Sequence, residues 1–174
     1  VNAKLQRGLA AAEDVFGQLD SGAEQDEGGV ELDRAVGELA IKGLTFSYGK
    51  GLVPVLKNIN LRVESGKTLA LVGRSGSGKT TLASLIARFY EVSEGEISLD
   101  GVNLTDLSLR SLREQIAVVS QQPTLFNDNL RNNIAYGQLI GASESSIRLA
   151  LERAGAKDFV DALPEGLDTF VGDD

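Results

Sequence analysis

The chain has no cysteine and no histidine in its 174 residues. Without thiols there is no disulfide framework and no thiolate metal site, and without imidazole there is no histidine-based catalysis within these residues. No apolar run approaches the roughly 18 residues of a membrane-spanning helix. A basic face is missing as well. The net charge of −8 gathers towards the two ends: residues 1–36 carry 3 basic and 8 acidic side chains, and residues 164–174 carry 4 acidic and none basic. Between them, residues 37–163 are close to neutral, with 14 basic and 13 acidic groups, which argues against general nucleic-acid binding. No internal repeat is visible. An apolar content of 42% suffices for the core of one domain.

Against these absences stands Gly73-Arg74-Ser75-Gly76-Ser77-Gly78-Lys79-Thr80, which fits G-x-x-x-x-G-K-[ST] at every fixed position. Leu69 to Val72 is a short apolar run and reads as a buried strand leading into it. Leu82, Leu85, Ile86 and Phe89 follow at i, i+3, i+4 and i+7, one face of a helix. Strand, glycine-rich loop and helix in that order are what a phosphate cradle needs; a Gly/Ser-rich turn with a chance Lys-Thr would need neither neighbour. Glycines let successive N–H groups turn inward on a phosphate chain, and the helix N-terminus adds partial positive charge there. Lys79 can reach the terminal phosphates and the Thr80 hydroxyl can ligate Mg²⁺. The expectation is a nucleoside triphosphate site.

In residues 1–20, Leu5, Leu9, Ala12, Phe16 and Leu19 step by 4, 3, 4 and 3, a narrow helical stripe. Residues 21–36 read as a linker, Gly- and acid-rich over Ser21 to Gly29, so the stripe is expected to pack outside the domain. The domain is expected from Gly37. Strands are expected over Leu39 to Phe46, within Val53 to Val63, and over Glu96 to Leu99, closed by Asp100-Gly101. Leu107 to Gln115 reads as a short helix with Leu109 and Leu112 inward and Arg110 and Arg113 outward. Ala117-Val118-Val119 reads as a buried strand delivering Ser120-Gln121-Gln122-Pro123 at its C-terminal end, where ligands bind in open α/β sheets. Residues 143–163 return to helical spacing with Ser143 as N-cap. The fold class expected is α/β.

Three further stretches carry a resemblance. Thr45-Phe46-Ser47-Tyr48 precedes the P-loop by about 25 residues. Val119-Ser120-Gln121 is followed by Pro123-Thr124-Leu125-Phe126-Asn127-Asp128, and Asn132-Asn133-Ile134-Ala135-Tyr136-Gly137 comes next. On these motifs the chain resembles the nucleotide-binding domain of ATP-binding-cassette exporters over essentially its whole length, and within that family the bacterial branch that exports lipid A.

The resemblance implies an incomplete P-loop ATPase core: an antiparallel β subdomain, a mixed or parallel sheet, and the start of a helical subdomain. It implies ATP and Mg²⁺ as ligands. Nucleotide contacts would come from Tyr48, stacking on adenine, and from Gly73, Arg74, Ser75, Gly76, Ser77, Gly78, Lys79, Thr80 and Thr81. Thr80 and Gln121 would attend the metal, Gln121 doubling as sensor of a transmembrane partner and sharing a catalytic role with Lys79; Gln122 is the second candidate. Residues 1–20 would end a transmembrane or connecting helix, 21–36 would be the linker, and 37–174 would be the N-terminal part of the ATPase domain. Partners implied are the transmembrane domain through its coupling helices, a second nucleotide-binding domain in a homodimer, and a lipid-like substrate, at the cytoplasmic face of the bacterial inner membrane.

The sequence also departs from the family. A Leu-Ser-Gly-Gly-Gln signature, an apolar strand ending in Asp-Glu and a late switch histidine are absent from these residues. The stretch alone is therefore expected to bind ATP without efficient turnover, since phosphoryl transfer needs an organised nucleophile. A longer exporter is expected, with a membrane domain before Val1 and the signature half beyond Asp174; a 174-residue chain would leave the edge of Leu69 to Val72 unpaired. Alternatives left open are an exporter of drugs or peptides, a nucleotide-dependent module that does not hydrolyse, and a P-loop kinase or GTPase. The last lacks an Asn-Lys-x-Asp base reader here.

Overall fold

The computed structural model describes Leu9, Ala12, Glu13, residues 15–17, Glu24 and residues 26–172. The chain divides into two compact units, Val1–Ala117 and Val118–Asp174, each with its own core.

The first unit is organised by an antiparallel sheet of order β2-β1-β3-β4, with β1 (Leu39–Phe46), β2 (Leu56–Val63), β3 (Glu94–Leu99) and β4 (Val102–Asn103). Along β1 the buried residues are Ile41, then Leu44 and Phe46. That change of parity has a physical cause. The register slips against β2 between Ile41 and Leu44 and against β3 between Lys42 and Thr45, and one extra residue moves the later side chains to the opposite face. The β3–β4 turn is Asp100-Gly101, with φ of 52° and 81°, the left-handed pair that a tight two-residue hairpin requires.

Helix α1 (Lys79–Ile86) packs Leu82 and Leu85 into the core with Ile41, Leu44, Phe46, Leu56, Ile97 and Leu99. Helix α2 (Leu109–Glu114) adds Leu112, and Leu104 and Leu107 come from the segment before it. Each fully buried leucine is worth about 1.5–3 kcal/mol relative to exposure. Ser108 caps α2 by accepting from the Ser111 amide at 3.1 Å.

Phe89 does not extend the apolar face of α1. Ala87 caps the helix and Arg88 turns left-handed at φ 50°, so Phe89 is carried out to solvent. Arg113, expected to point outward, instead bends back: its guanidinium donates to the carbonyls of Ala87 (3.2 Å) and Arg88 (2.9 Å) and lies 5.4 Å from the Phe89 ring centre. A cation on the last carbonyls of a helix is favoured by their unpaired lone pairs and partial negative charge.

The acid-rich stretch read from composition as a linker is fastened to this unit. The Glu24 carboxylate accepts two bonds from Arg113, at 2.6 and 2.7 Å. Asp26 accepts from the Leu109 amide at 3.0 Å, at the start of α2. Val30 bridges to Leu107 in parallel, the Leu32 amide donates to Ser111 Oγ at 2.7 Å, and the Ala35 amide donates to Gln115 Oε1 at 2.9 Å. Asp100 then accepts from the successive amides of Val36, Gly37 and Glu38 at 2.6, 2.9 and 2.7 Å.

Two expected strands are not strands. Leu69 to Val72 and Ala117 to Val119 have no ladder partner among the described residues, and Val72 and Val119 are 89% and 97% exposed. Such apolar runs suit a sheet interior. A parallel strand also needs neighbours for its N–H and C=O groups, and no described strand supplies them. The sheets formed by the described residues are antiparallel.

In the helical stretch at the N-terminus, Leu9 and Phe16 are exposed; Leu5 and Leu19 of the same stripe lie outside the described residues. Among the described residues no helix is long and apolar enough to cross a membrane.

The second unit holds β5 (Asp128–Asn129) paired with β6 (Phe170–Val171), and helices α3 (Leu130–Ile134), α4 (Glu144–Arg153) and α5 (Lys157–Asp161). Its core is Ala135, Ile147, Leu151, Val160 and Leu167. Ser143 caps α4, accepting from the Ser146 amide at 3.2 Å. The helical spacing over 143–163 becomes two helices, because Gly155 turns left-handed between them. Arg148 ties them together, bonding Glu144 at 2.8 Å and Asp161 at 3.1 Å. It holds the Glu144 carboxyl below its usual range, and Lys157 with Arg148 does the same for Asp161.

Candidate nucleotide-binding site

The P-loop closes on its own lysine. Lys79, first residue of α1, turns its ammonium back over the loop and donates to the carbonyls of Gly73 (2.9 Å) and Arg74 (2.8 Å) and to Ser77 Oγ (3.2 Å). The Ser77 amide donates to the Arg74 carbonyl at 3.2 Å, which closes the tip. Two glycines sit where a side chain would crowd a neighbour. A Cβ on Gly73 would lie 2.7 Å from Ser77 Oγ, and one on Gly78, at φ 88°, would lie 2.6 Å from Leu56 Cδ2. Gly78 leads into α1, whose first turn carries no acidic side chain. A glycine-rich loop, a lysine folded over it and the N-terminus of α1 therefore stand together, the parts from which a phosphate site is made.

Arg74, Ser75, Gly76 and Thr80 line this loop and are exposed, whereas Thr81 is buried on the inner side of α1. Thr81 is where the loop meets the upstream aromatic: the hydroxyls of Tyr48 and Thr81 are hydrogen-bonded at 2.7 Å. Tyr48 follows the end of β1 and stays half exposed. Its ring meets Phe46 edge-on at 5.0 Å and 81°, and Tyr90 edge-on at 5.2 Å and 85°. A cavity of about 550 Å³ opens here, lined by Phe46, Tyr48, Tyr90, Ser93 and the turn 49–51. That is room for a small-molecule ring system.

The structure thus brings Tyr48 to the P-loop helix, through the Thr81 hydroxyl. Gln121 belongs to the second unit, where it is exposed in the loop after Val119. Ser120 Oγ donates to the Gln122 carbonyl at 3.0 Å within that loop. Further along, Asn133 donates to the carbonyls of Phe126, Asp128 and Asn129 and accepts from the Phe126 amide at 2.7 Å. Among the described residues no group of three or more His, Cys, Asp or Glu is placed to hold a metal ion. Sequence reasoning missed Tyr90. Its only signal in the sequence is the aromatic pair Phe89-Tyr90, of which Phe89 alone fits the helical spacing.

A P-loop leading into a helix that packs against an antiparallel sheet, with a cluster of aromatic rings beside it, is the pattern of a nucleotide-binding domain of the P-loop class. The ABC transporter family profile matches residues 56–169, and the chain belongs to that family. It is 51% identical over 173 residues to the ATP-dependent lipid A-core flippase of Pseudomonas aeruginosa, and 50% identical over 173 residues to that of Escherichia coli K12. Each comparison covers 99% of this chain but only 29% and 30% of those proteins. Among solved structures it resembles a bacterial Atm1-family ABC exporter with ATP bound, at a TM-score of 0.76 and 32% identity, over 99% of this chain and 30% of that one. The chain therefore spans about 30% of the length of the relatives it matches.

Proposed function

We propose that this chain is the ATP-binding part of an exporter that uses ATP binding and hydrolysis to move a lipid-like substrate of the lipid A class across the bacterial inner membrane. The observation that carries it is the closed P-loop, with Lys79 held over the Gly73–Ser77 backbone beside a tyrosine platform. The lipid-like substrate is supported by 51% identity to proteins named for lipid A-core flipping.

In this reading the backbone of residues 73–79 receives the phosphates, Lys79 leaves its loop carbonyls for the terminal phosphate oxygens, and Tyr48 presents its ring to the base. The Thr80 hydroxyl would be a ligand of Mg²⁺. The exposed Thr80 oxygen beside the cradle suits a hard cation, which would neutralise phosphate charge when bound. Gln121 would report to a transmembrane domain, and a second copy of the domain would complete a homodimer. The setting would be the cytoplasmic face of the membrane.

Calorimetric titration with ATP tests the site. Lys79→Ala should abolish measurable binding, because it deletes the ammonium that this reading assigns to the terminal phosphates. Tyr48→Ala should weaken binding by about 1–3 kcal/mol, the scale of base–aromatic stacking. Wild-type affinity in the Lys79 variant would overturn the reading. For the substrate, lipid A should stimulate ATP hydrolysis by the full transporter in vesicles; stimulation by unrelated drugs or peptides alone would refute the lipid assignment.

A further inference from the structure

We propose that Tyr90 is a positioning residue of the base-binding site: its ring holds the Tyr48 ring in the orientation that receives the base. This rests on the reading of Tyr48 as the base platform. Tyr48 sits just past the end of a strand, next to a glycine turn at 49–51, and is half exposed. An aromatic in that setting would sample several rotamers, and ordering it on binding would cost affinity.

Three contacts hold it instead. The Thr81 hydroxyl fixes the phenol end at 2.7 Å. Phe46, buried in the core and 3% exposed, meets one part of the ring edge-on. Tyr90 meets it edge-on as well, at 5.2 Å and 85°, and itself lies 5.8 Å from Phe46. Edge-to-face contacts are directional, because the positive edge of one ring seeks the negative face of the other. Two of them at nearly right angles fix the plane of the Tyr48 ring as well as its position.

The fold places Tyr90 there by a built device. Arg88, left-handed at φ 50°, turns the chain sharply off the end of α1, and the Phe89 amide donates back to the Ser84 carbonyl at 2.9 Å. The Arg88 guanidinium secures the turn. It is 7% exposed and donates to the carbonyls of Leu104 and Leu107, both at 3.0 Å, and to Glu91 at 3.1 Å. Tyr90 stands between these two anchors. It is 45% exposed and lines the same cavity as Tyr48, although core packing would ask for a buried ring.

The test compares ATP with inorganic tripolyphosphate, which has the phosphates but no base. Binding of both to the purified protein is measured by calorimetry for wild type, Tyr48→Ala, Tyr90→Leu and Tyr90→Phe, with circular dichroism to establish folding. Tyr90→Leu should bind ATP roughly three- to tenfold more weakly and tripolyphosphate unchanged, and Tyr90→Phe should restore ATP binding, since the ring and not its hydroxyl makes the contact. A folded Tyr90→Leu variant with wild-type preference for ATP over tripolyphosphate would overturn the proposal. So would equal loss for both ligands, which marks a residue supporting the fold alone. Tyr48→Ala separates the two readings. If it erases the preference while Tyr90→Leu keeps it, only the role of Tyr90 fails; if it changes nothing, the platform reading fails with it.

Discussion

At the scale of single residues, the site depends on positions whose backbone favours glycine. Gly78 is one: it is left-handed, and its Cβ would press on Leu56 Cδ2 in β2. Gly78→Ala should therefore cost about 1–2 kcal/mol through backbone strain alone. It should also weaken ATP binding, because relief of the contact moves the start of α1 on which Lys79 stands. Chemical denaturation and ATP titration of the same variant measure the two effects, and a variant as stable as wild type would contradict the geometry. The P-loop residues were legible in the sequence because the constraint is local: each fixed position answers to a backbone angle or a phosphate within a few residues. Tyr90 was not legible in that way, since its partners Phe46 and Tyr48 lie more than 40 positions away and edge-to-face geometry leaves no periodicity.

At the scale of elements, the most informative difference between sequence and structure is the segment from Glu24 to Glu38. Its composition says linker, yet Asp26 accepts from the first amide of α2, Glu24 grips Arg113, and the amides of Val36, Gly37 and Glu38 donate to Asp100. Composition cannot register this, because each bond joins residues 62 to 89 positions apart. The apolar runs at 69–72 and 117–119 mislead for the opposite reason: hydrophobicity reports what a residue suits and is silent on whether a neighbouring strand is there to pair. β1 and β3 were placed correctly because their pattern and turn chemistry agree.

The docked segment makes a prediction with two arms. Gly28 runs against the Leu107 carbonyl so closely that a Cβ would collide with it. Gly28→Ala should lift the segment and speed amide exchange at Gly29, Val30 and Ser108, whose bonds cross the contact. Acid should act on the same contact. Hydrogen bonding from Arg113 holds the Glu24 carboxyl below its ordinary range, against the smaller opposing effect of burial. A depressed carboxylate stabilises fully above its ordinary pKa and loses its contribution as pH falls through the depressed value. Protection of these amides, taken relative to their intrinsic exchange rates at each pH, should therefore fall below about pH 4. Amides at 29 and 30 that exchange equally fast in wild type and Gly28→Ala would show the segment is not docked.

At the scale of the whole molecule, the nucleotide site and the Gln121 loop belong to different compact units. If Gln121 couples hydrolysis to a transmembrane partner, Gln121→Ala in the full transporter should depress substrate-stimulated hydrolysis several-fold while leaving ATP affinity near wild type. Equal loss of both would make it a plain ligand-binding residue. The comparison is a kcat split against a binding constant, so a general loss of stability cannot imitate it.

The docked segment also sets a schedule. Glu24 to Glu38 leaves the ribosome long before Asp100, Leu109, Arg113 and Gln115, its partners. At roughly 5–20 residues per second, a gap of about 80 residues is a wait of roughly 4–16 s. During that time Glu24 and Asp26 lack their partners and β1 has only β2 beside it. An early segment that is polar, glycine-rich and negatively charged stays solvated through such a wait, whereas an apolar one would seek other contacts. The composition that conceals the segment's role in the finished protein is thus what keeps it available while the protein is being made.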